Sequence, residues 1–175
     1  GSSPAPALPA SVFITGASGF IGRALAERCR ARGVVVRGMD RTADPGNDVV
    51  AGDVAQPGAW QQHAAGCEVL LHTAAVVSNT AARAEYRRVS VAGTRHALDA
   101  AVVGRCRRFL HVSSIAAYGM DFPDGVDERH PVTVLSGLPY CDAKAASEHV
   151  VLAAHAAGEI ECTVASDEQL DTLRN

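Results

Sequence analysis

A glycine-rich turn between a short apolar strand and an amphipathic helix constrains this chain more than any other feature. Gly16, Gly19 and Gly22 follow the β-branched and aromatic run 12–15. In such a turn the first glycine lets the chain leave the strand, the second lets a phosphate approach the backbone, and the third lets the helix lie close to the sheet. Because the N–H groups that begin a helix favour an anion, the turn predicts a pyrophosphate site.

Predicted strands and helices alternate along the rest of the chain. After the first helix, which ends at Gly33, strands are predicted at 34–39, 49–54, 68–75, 109–114 and 159–164. A weak helix is predicted at 59–65, a long one at 79–103 with a bend near Gly93, and another at 139–156. This alternation predicts an α/β fold, a doubly wound parallel sheet that binds its ligands at the carboxyl ends of the strands.

Composition narrows the class of protein. The net charge of −3 gives no broad positive field, so we expect neither nucleic acid nor a membrane as partner. Five cysteines without a C-x-x-C pair predict reduced thiols and a cytoplasmic location, and seven scattered histidines predict no metal site. We divide the chain into a flexible arm at 1–10, one domain at 11–164 and a short polar tail at 165–175.

An acidic residue follows the second predicted strand at the distance that suits ribose recognition. Asp40 is placed to accept hydrogen bonds from the hydroxyl groups of an adenosine ribose. A carboxylate there also repels a 2′-phosphate, which favours NAD over NADP. Arg41 comes next and could weaken that preference. A carboxylate at the start of a loop is the structural alternative for Asp40.

The glycine spacing, with Phe20 and Ile21 inside it, resembles that of the extended branch of the short-chain dehydrogenase/reductase superfamily, the NAD-dependent epimerases and dehydratases. Three further segments are similar to motifs of that family: 72–75 to H-x-A-A, 89–94 to N-V-x-G-T and 113–119 to S-S-x-x-x-Y-G. Ser90 departs from the second motif, whose asparagine helps to hold the catalytic lysine in relatives. The resemblance implies a Rossmann fold that continues into a C-terminal substrate domain.

Residues at the ends of the predicted strands form the predicted NAD site. The resemblance implies that Asp53 and Val54 contact the adenine, whereas we interpret His72 as a strand-end histidine whose hydrogen bonds are made to the backbone. The predicted NAD-binding residues are Gly16, Ser18, Gly19, Phe20, Ile21, Gly22, Asp40, Arg41, Asp53, Val54, Thr73, Ala74, Ala75, Ser113, Tyr140 and Lys144.

By the same resemblance, Ser114, Tyr140 and Lys144 are the catalytic residues. Tyr140 and Lys144 stand four residues apart and so share one helix face. An ammonium beside a phenol lowers the phenol pKa, and such a tyrosine can exchange a proton with a substrate oxygen that Ser114 also contacts. Lys144 is the only lysine of the chain, which argues against a chance pair. Glu148 could compete as a surface partner of that lysine.

The sequence thus predicts an NAD-dependent oxidoreductase, epimerase or dehydratase that acts on a secondary alcohol or carbonyl by hydride transfer. A nucleotide sugar and a hydroxysteroid-like compound both stay open as substrates, since the C-terminal substrate domain is largely missing. We therefore expect a truncated chain, or a gap near 164–166. The alternative is a non-catalytic NAD(P)-binding module or redox sensor. The resemblance also implies a homodimer formed through the helices 79–103 and 139–156.

Overall fold

The computed structural model describes residues 8–73, 88–113 and 139–166, and only the backbone of 113, 139–144 and 165–166. Six parallel strands form one sheet in the order β3-β2-β1-β4-β5-β6. The strands are β1 (Ser11–Thr15), β2 (Val35–Asp40), β3 (Val49–Ala51), β4 (Val69–His72), β5 (Arg108–Ser113) and β6 (Glu161–Ser166). This order reverses direction beside β1, which confirms the predicted doubly wound fold.

Helices cover both faces of the sheet. They are α1 (Phe20–Ala31), α2 (Gly93–Val103) and α3 (Pro139–Ala156), and short helical segments lie at Pro45–Asn47 and Ala59–Ala64 (both 3-10) and at Arg88–Ala92 (π). Alternate residues of each strand face opposite sides, so Val12 and Ile14 pack beneath α1 while Phe13 packs beneath α2 and α3. Apolar residues on both faces suit a parallel sheet that is covered twice.

Several predicted boundaries differ from the observed ones. β3 ends at Ala51 rather than 54, because the Asp53 carboxylate accepts the Ala55 N–H at 3.0 Å and turns the chain. β4 is shorter at both ends than the predicted 68–75, whereas α3 has the predicted bounds. β6 runs through Ser166, two residues past the predicted end of the domain at 164. Residues 167–175 lie outside the described part of the chain.

The predicted bend near Gly93 coincides with a change of helix type. Residues Arg88–Ala92 form one turn of π-helix, and α2 begins at Gly93. A β-carbon on Gly93 would lie 3.0 Å from a methyl carbon of Val54, so a larger residue here requires the Val54 side chain to shift by a few tenths of an ångström. The first part of the predicted long helix, 79–87, lies outside the described residues.

Candidate functional site

The glycine turn has the geometry that the sequence predicts. Gly16 has a φ of 69°, and its carbonyl oxygen accepts the Gly19 N–H at 3.1 Å. A β-carbon on Gly22 would lie 2.1 Å from that same oxygen, so only glycine lets α1 pack this closely against the end of β1. On Gly19 a β-carbon would lie 3.4 Å from the oxygen, which is an ordinary contact. Gly22 therefore supports the fold, whereas the backbone of Gly19 is open to solvent.

The start of α1 presents donors that the helix itself leaves unused. The first intrahelical bond runs from the Arg23 N–H to the Gly19 carbonyl at 2.9 Å, so the N–H groups of Phe20, Ile21 and Gly22 precede it. The Phe20 side chain is 94% exposed and leaves the turn accessible. These donors and the helix dipole fit a pyrophosphate, and the bare backbone of Gly19 gives it room.

Asp40 lies at the carboxyl end of β2 and reaches back to the glycine turn. Its Oδ2 accepts the Ser18 N–H at 2.9 Å, and its Oδ1 accepts the Arg41 N–H at 2.7 Å. A carboxylate has about four acceptor positions, so both oxygens keep capacity for ribose hydroxyl groups. The bond to Ser18 was not predicted from the sequence, which offered either ribose recognition or a loop-start carboxylate for Asp40. Arg41 is exposed beside it.

Asp53 and Val54 follow β3 at the same edge of the sheet. Val54 is buried, and its carbonyl oxygen accepts a hydrogen bond from Nδ1 of His96 at 2.9 Å. Asp53 is half-buried, which leaves it as the accessible member of the pair. Trp60 packs against Gly52, which precedes Asp53, and its side chain is 3% exposed.

His72 ends β4, and Thr73 follows it at the same edge of the sheet. The Thr73 N–H donates to Oγ1 of Thr15 at 3.0 Å, and the Thr73 hydroxyl donates to the Thr15 carbonyl at 2.5 Å. His72 is 1% exposed and contacts the hydroxyl groups of Thr15 and Thr94. We predicted that backbone groups form the hydrogen bonds of this histidine. That prediction is wrong, because both ring nitrogens bond to threonine side chains, one from β1 and one from α2.

The predicted catalytic residues are described only in part. Ser113 is the last residue of β5, at the same edge as the glycine turn, and Tyr140 and Lys144 lie in the first turns of α3. Ser114, Ala74 and Ala75 lie outside the described residues, as do the side chains of Tyr140 and Lys144. Glu148 is 1% exposed, so the prediction of a surface position is wrong: α3 turns this residue toward the interior. Its predicted pairing with Lys144 stays a prediction, because the lysine side chain lies outside the described part of the chain.

Ser90, the departure from the family motif, lies in the π-helical turn and is 2% exposed. Its carbonyl oxygen accepts the Thr94 hydroxyl at 2.6 Å. Its own hydroxyl oxygen is buried and has no hydrogen-bond partner in the described part of the chain. An unsatisfied hydroxyl in a π-turn is unusual, since most such groups are paired.

Burial raises the pKa of four thiols in the described residues. The pKa of Cys106 and of Cys162 rises from 9.0 to about 11, and those of Cys29 and Cys67 also rise. All four are free thiols, and at neutral pH they stay protonated and weakly nucleophilic. The cytoplasmic location inferred from them stays a prediction.

No group of three or more histidine, cysteine, aspartate or glutamate side chains in the described residues is arranged to hold a metal ion. None of the helices described is long and apolar enough to cross a membrane.

Comparison with known proteins places these features in a family. The chain is 36% identical over 154 residues to the 4-hydroxy-2-methyl-3-oxo-4-farnesyl-3,4-dihydroquinoline-1-oxide ketoreductase of Stigmatella aurantiaca, covering 83% of this chain and 46% of that protein. It is 30% identical over 168 residues to the 3-beta-hydroxysteroid dehydrogenase of Mycolicibacterium neoaurum, covering 87% of this chain and 46% of the relative. The chain thus spans about half the length of the curated relatives that it matches.

A solved structure resembles the described fold. The structure of MoeE5 in complex with UDP-glucose and NAD superposes with a TM-score of 0.74 at 28% identity, over 89% of this chain and 52% of that one. Residues 12–166 match the NAD dependent epimerase/dehydratase family. The chain, with its glycine turn, acidic strand ends and six-stranded parallel sheet, belongs to the NAD-dependent epimerase/dehydratase family of the extended short-chain dehydrogenases/reductases.

Proposed function

We propose that the chain binds NAD across the carboxyl ends of β1 to β4, and that the protein oxidises or reduces a secondary alcohol or carbonyl. The observation that carries this proposal is the convergence of an open helix N-terminus at Phe20–Gly22, the Asp40 carboxylate and the half-buried Asp53 at one edge of the sheet. A bound pyrophosphate would lie on the helix N-terminus and the ribose beside Asp40.

In such a reaction, oxidised NAD would accept the hydride and NADH would donate it. The residues of the chain would do the rest: Tyr140 would exchange a proton with the substrate oxygen, Lys144 would favour the phenolate, and Ser114 would hydrogen-bond the same oxygen. The family resemblance supports these roles, and so does the start of α3 at Pro139, which puts Tyr140 and Lys144 on one helix.

Tyr140→Phe tests the catalytic assignment. We expect turnover by the full gene product to fall at least a hundredfold, because a proton donor typically contributes at least that factor, while NAD affinity stays the same. Tyr118→Phe is the matched control, since Tyr118 has no lysine four residues later. Turnover that survives Tyr140→Phe would remove tyrosine from the mechanism.

Gly19→Ala tests the pyrophosphate site. The new methyl group clears the Gly16 oxygen at 3.4 Å, so the free energy of unfolding should change by no more than about 1 kcal/mol. The same methyl group enters the space that a phosphate needs, and we expect NAD affinity to fall at least tenfold by calorimetric titration. Equal affinity in the wild-type and variant chains would locate the dinucleotide elsewhere.

We further propose NAD rather than NADP as the preferred dinucleotide. The Asp40 carboxylate stands at the end of β2, where it would repel a 2′-phosphate. In Asp40→Ala we expect NAD affinity to fall. We also expect the difference between the affinities for NAD and NADP to narrow, because the exposed Arg41 is kept while the repelling carboxylate is lost. A wild-type chain that binds NADP more tightly would contradict this preference.

The substrate class is proposed from the relatives. The quinoline ketoreductase and the hydroxysteroid dehydrogenase are named for ring ketones or alcohols on apolar skeletons, whereas MoeE5 was solved with UDP-glucose. The ketoreductase and the hydroxysteroid dehydrogenase favour the hydroxysteroid-like class, whereas a further relative, a dTDP-glucose 4,6-dehydratase of Streptomyces niveus at 30% identity, favours a nucleotide sugar. A panel of ring ketones and UDP-sugars, each assayed with NADH or NAD, separates the two classes.

A non-catalytic NAD(P)-binding module or redox sensor is the second candidate. The observation that favours it is Ser90, which replaces the family asparagine and has a buried hydroxyl without a partner in the described residues. If the chain is such a module, Tyr140→Phe should leave NAD affinity unchanged, and no turnover should be detected in either chain. Dinucleotide binding without turnover of any panel compound would support it.

We also propose a homodimer through α2 and α3. Val103 on α2 and Leu152 on α3 are 83% and 51% exposed, which is unusual for large apolar side chains. Leu152→Glu should shift the light-scattering mass from two chains to one. A single-chain mass for the wild-type protein would contradict the proposal.

A further inference from the structure

A buried row of hydrogen bonds crosses the carboxyl ends of β1 and β4 and ends on α2. Nδ1 of His72 lies 2.7 Å from Oγ1 of Thr15, and Nε2 lies 3.1 Å from Oγ1 of Thr94. Thr15 and Thr94 are fully buried, and His72 is 1% exposed. These side chains are shielded from bulk solvent, so we expect their donors to be paired in the interior.

The hydrogen bond that Thr94 makes to Ser90 determines which group donates in each of the other hydrogen bonds of the row. The Thr94 hydroxyl donates its single proton to the Ser90 carbonyl at 2.6 Å. Its oxygen can then only accept from His72, so Nε2 of the ring carries the proton. In the neutral ring Nδ1 is an acceptor, and it takes the proton of the Thr15 hydroxyl. The Thr15 oxygen in turn accepts the Thr73 N–H at 3.0 Å.

The two ends of the row lie in different parts of the molecule. At one end, Thr15 immediately precedes Gly16, and Thr73 bonds to Thr15 twice. At the other, Thr94 follows Gly93, which abuts Val54, and His96 one turn later donates to the Val54 carbonyl. The first turn of α2 therefore contacts both the β3 loop and, through His72, the end of β1.

We propose that His72, held as the neutral Nε2–H tautomer, is a positioning residue that fixes the glycine turn and Thr73 relative to α2. The inference rests on the proposed function in that the positioned groups are those assigned to NAD. His72 touches no ligand in this scheme. Its effect passes through Thr15 to Gly16 and Thr73, and through Thr94 to the helix that also supports the Asp53 loop.

Two variants of Thr94 test the row at the end remote from the glycine turn. Thr94→Val keeps the shape and removes the acceptor of the His72 proton, so NAD affinity should fall about five- to tenfold. Thr94→Ser keeps the hydroxyl and should restore affinity to within about twofold of wild type. The exposed Thr163→Val is the control for the substitution itself and should bind as wild type does.

Nitrogen-15 NMR of the histidine rings gives a readout that does not depend on NAD. In the wild-type chain His72 should show a protonated Nε2 and an unprotonated Nδ1, and in Thr94→Val this single tautomer should give way to a mixture. A proton on Nδ1 in the wild-type chain would overturn the proposal. So would equal NAD affinity in Thr94→Val, Thr94→Ser and wild type.

The outcomes separate this inference from the proposed function. A wild-type chain that binds no dinucleotide defeats the proposed function, while the ring spectrum still decides the tautomer. If Thr94→Val does not fold at the assay temperature, His72→Gln, which can still donate to Thr94, replaces it, with His72→Leu as the variant that cannot. Equal NAD affinity in those two variants would overturn the positioning role.

Discussion

The two ends of strand β4 are held by opposite kinds of interaction. At the carboxyl end, buried His72 joins β1 and α2 through neutral hydroxyl groups. At the amino end, Glu68 accepts the Ala10 N–H at 2.6 Å and contacts the Arg107 guanidinium at 2.9 Å, with side chains 32% and 61% exposed. Each residue ties the strand to its neighbours, but only Glu68 does so where water competes.

The difference predicts which end of β4 loses more stability when a residue is substituted. A buried neutral bond adds only about 1 kcal/mol when made, yet removing one partner costs about 1–3 kcal/mol because the other cannot reach water. An exposed ion pair contributes about 0–1 kcal/mol and is screened by salt. We therefore expect the carboxyl end of β4, at His72, to tolerate little change, and its amino end, at Glu68, to tolerate much.

The largest effect should come from Gly22→Ala at the carboxyl edge. The methyl carbon would lie 2.1 Å from the Gly16 oxygen, and because that atom belongs to the backbone, α1 must move away from β1. We expect a loss of about 3 kcal/mol or more in the free energy of unfolding, measured with urea. A cost similar to that of Gly19→Ala would show that the turn is not tightly packed.

His72→Leu should follow. It leaves the buried Thr15 hydroxyl without its ring acceptor and removes the donor to Thr94, for an expected loss of about 3 kcal/mol. Urea unfolding monitored by circular dichroism measures the loss. Less than about 1 kcal/mol would mean that the two ends of β4 do not differ in the way described.

A smaller effect should appear at alkaline pH near the amino ends of the strands. Cys106 precedes β5, and burial raises its thiol pKa from 9.0 to about 11. Between these values the unfolded chain releases the proton and the folded chain keeps it, so the free energy of unfolding falls as pH rises from 9 to 11. In Cys106→Ala the fall over this range should be shallower than in wild type. Parallel pH profiles would exclude the thiol.

The smallest effect is expected for Glu68→Gln. The amide oxygen can still accept the Ala10 N–H, and only the charge opposite exposed Arg107 is lost. We expect about 0.5 kcal/mol in dilute buffer and no difference in 1 M salt, measured by thermal unfolding at both ionic strengths. A loss as large as that of His72→Leu would reverse the ranking of the two ends.

The sequence predicted much of the fold because its signals were local. The glycine spacing at Gly16–Gly22, the apolar strands and the start of α3 at Pro139 each follow from neighbouring residues. The hydrogen bonds of His72 did not, because Thr15 and Thr94 are remote in sequence and common residues in strands and helices. The burial of Glu148 was also missed, since a charged residue on a helix is usually exposed.

The predicted strand boundaries differ from the observed ones for a related reason. An apolar run marks where a strand is buried, but a single side chain can end it, as Asp53 does by turning the backbone after β3. The contact between Asp40 and Ser18 joins two predicted site residues that sequence reasoning treated separately. The predicted ligand roles of both residues stay open to the titrations proposed above.

The packing of Trp60 against Gly52 gives the chain an internal optical reporter. Trp60 is the only tryptophan of the chain, and the glycine that it contacts immediately precedes Asp53. The indole side chain is 3% exposed, so we expect its emission to be blue-shifted relative to that of a tryptophan in water. Excitation transfer from this indole to a reduced nicotinamide would report occupancy without any label.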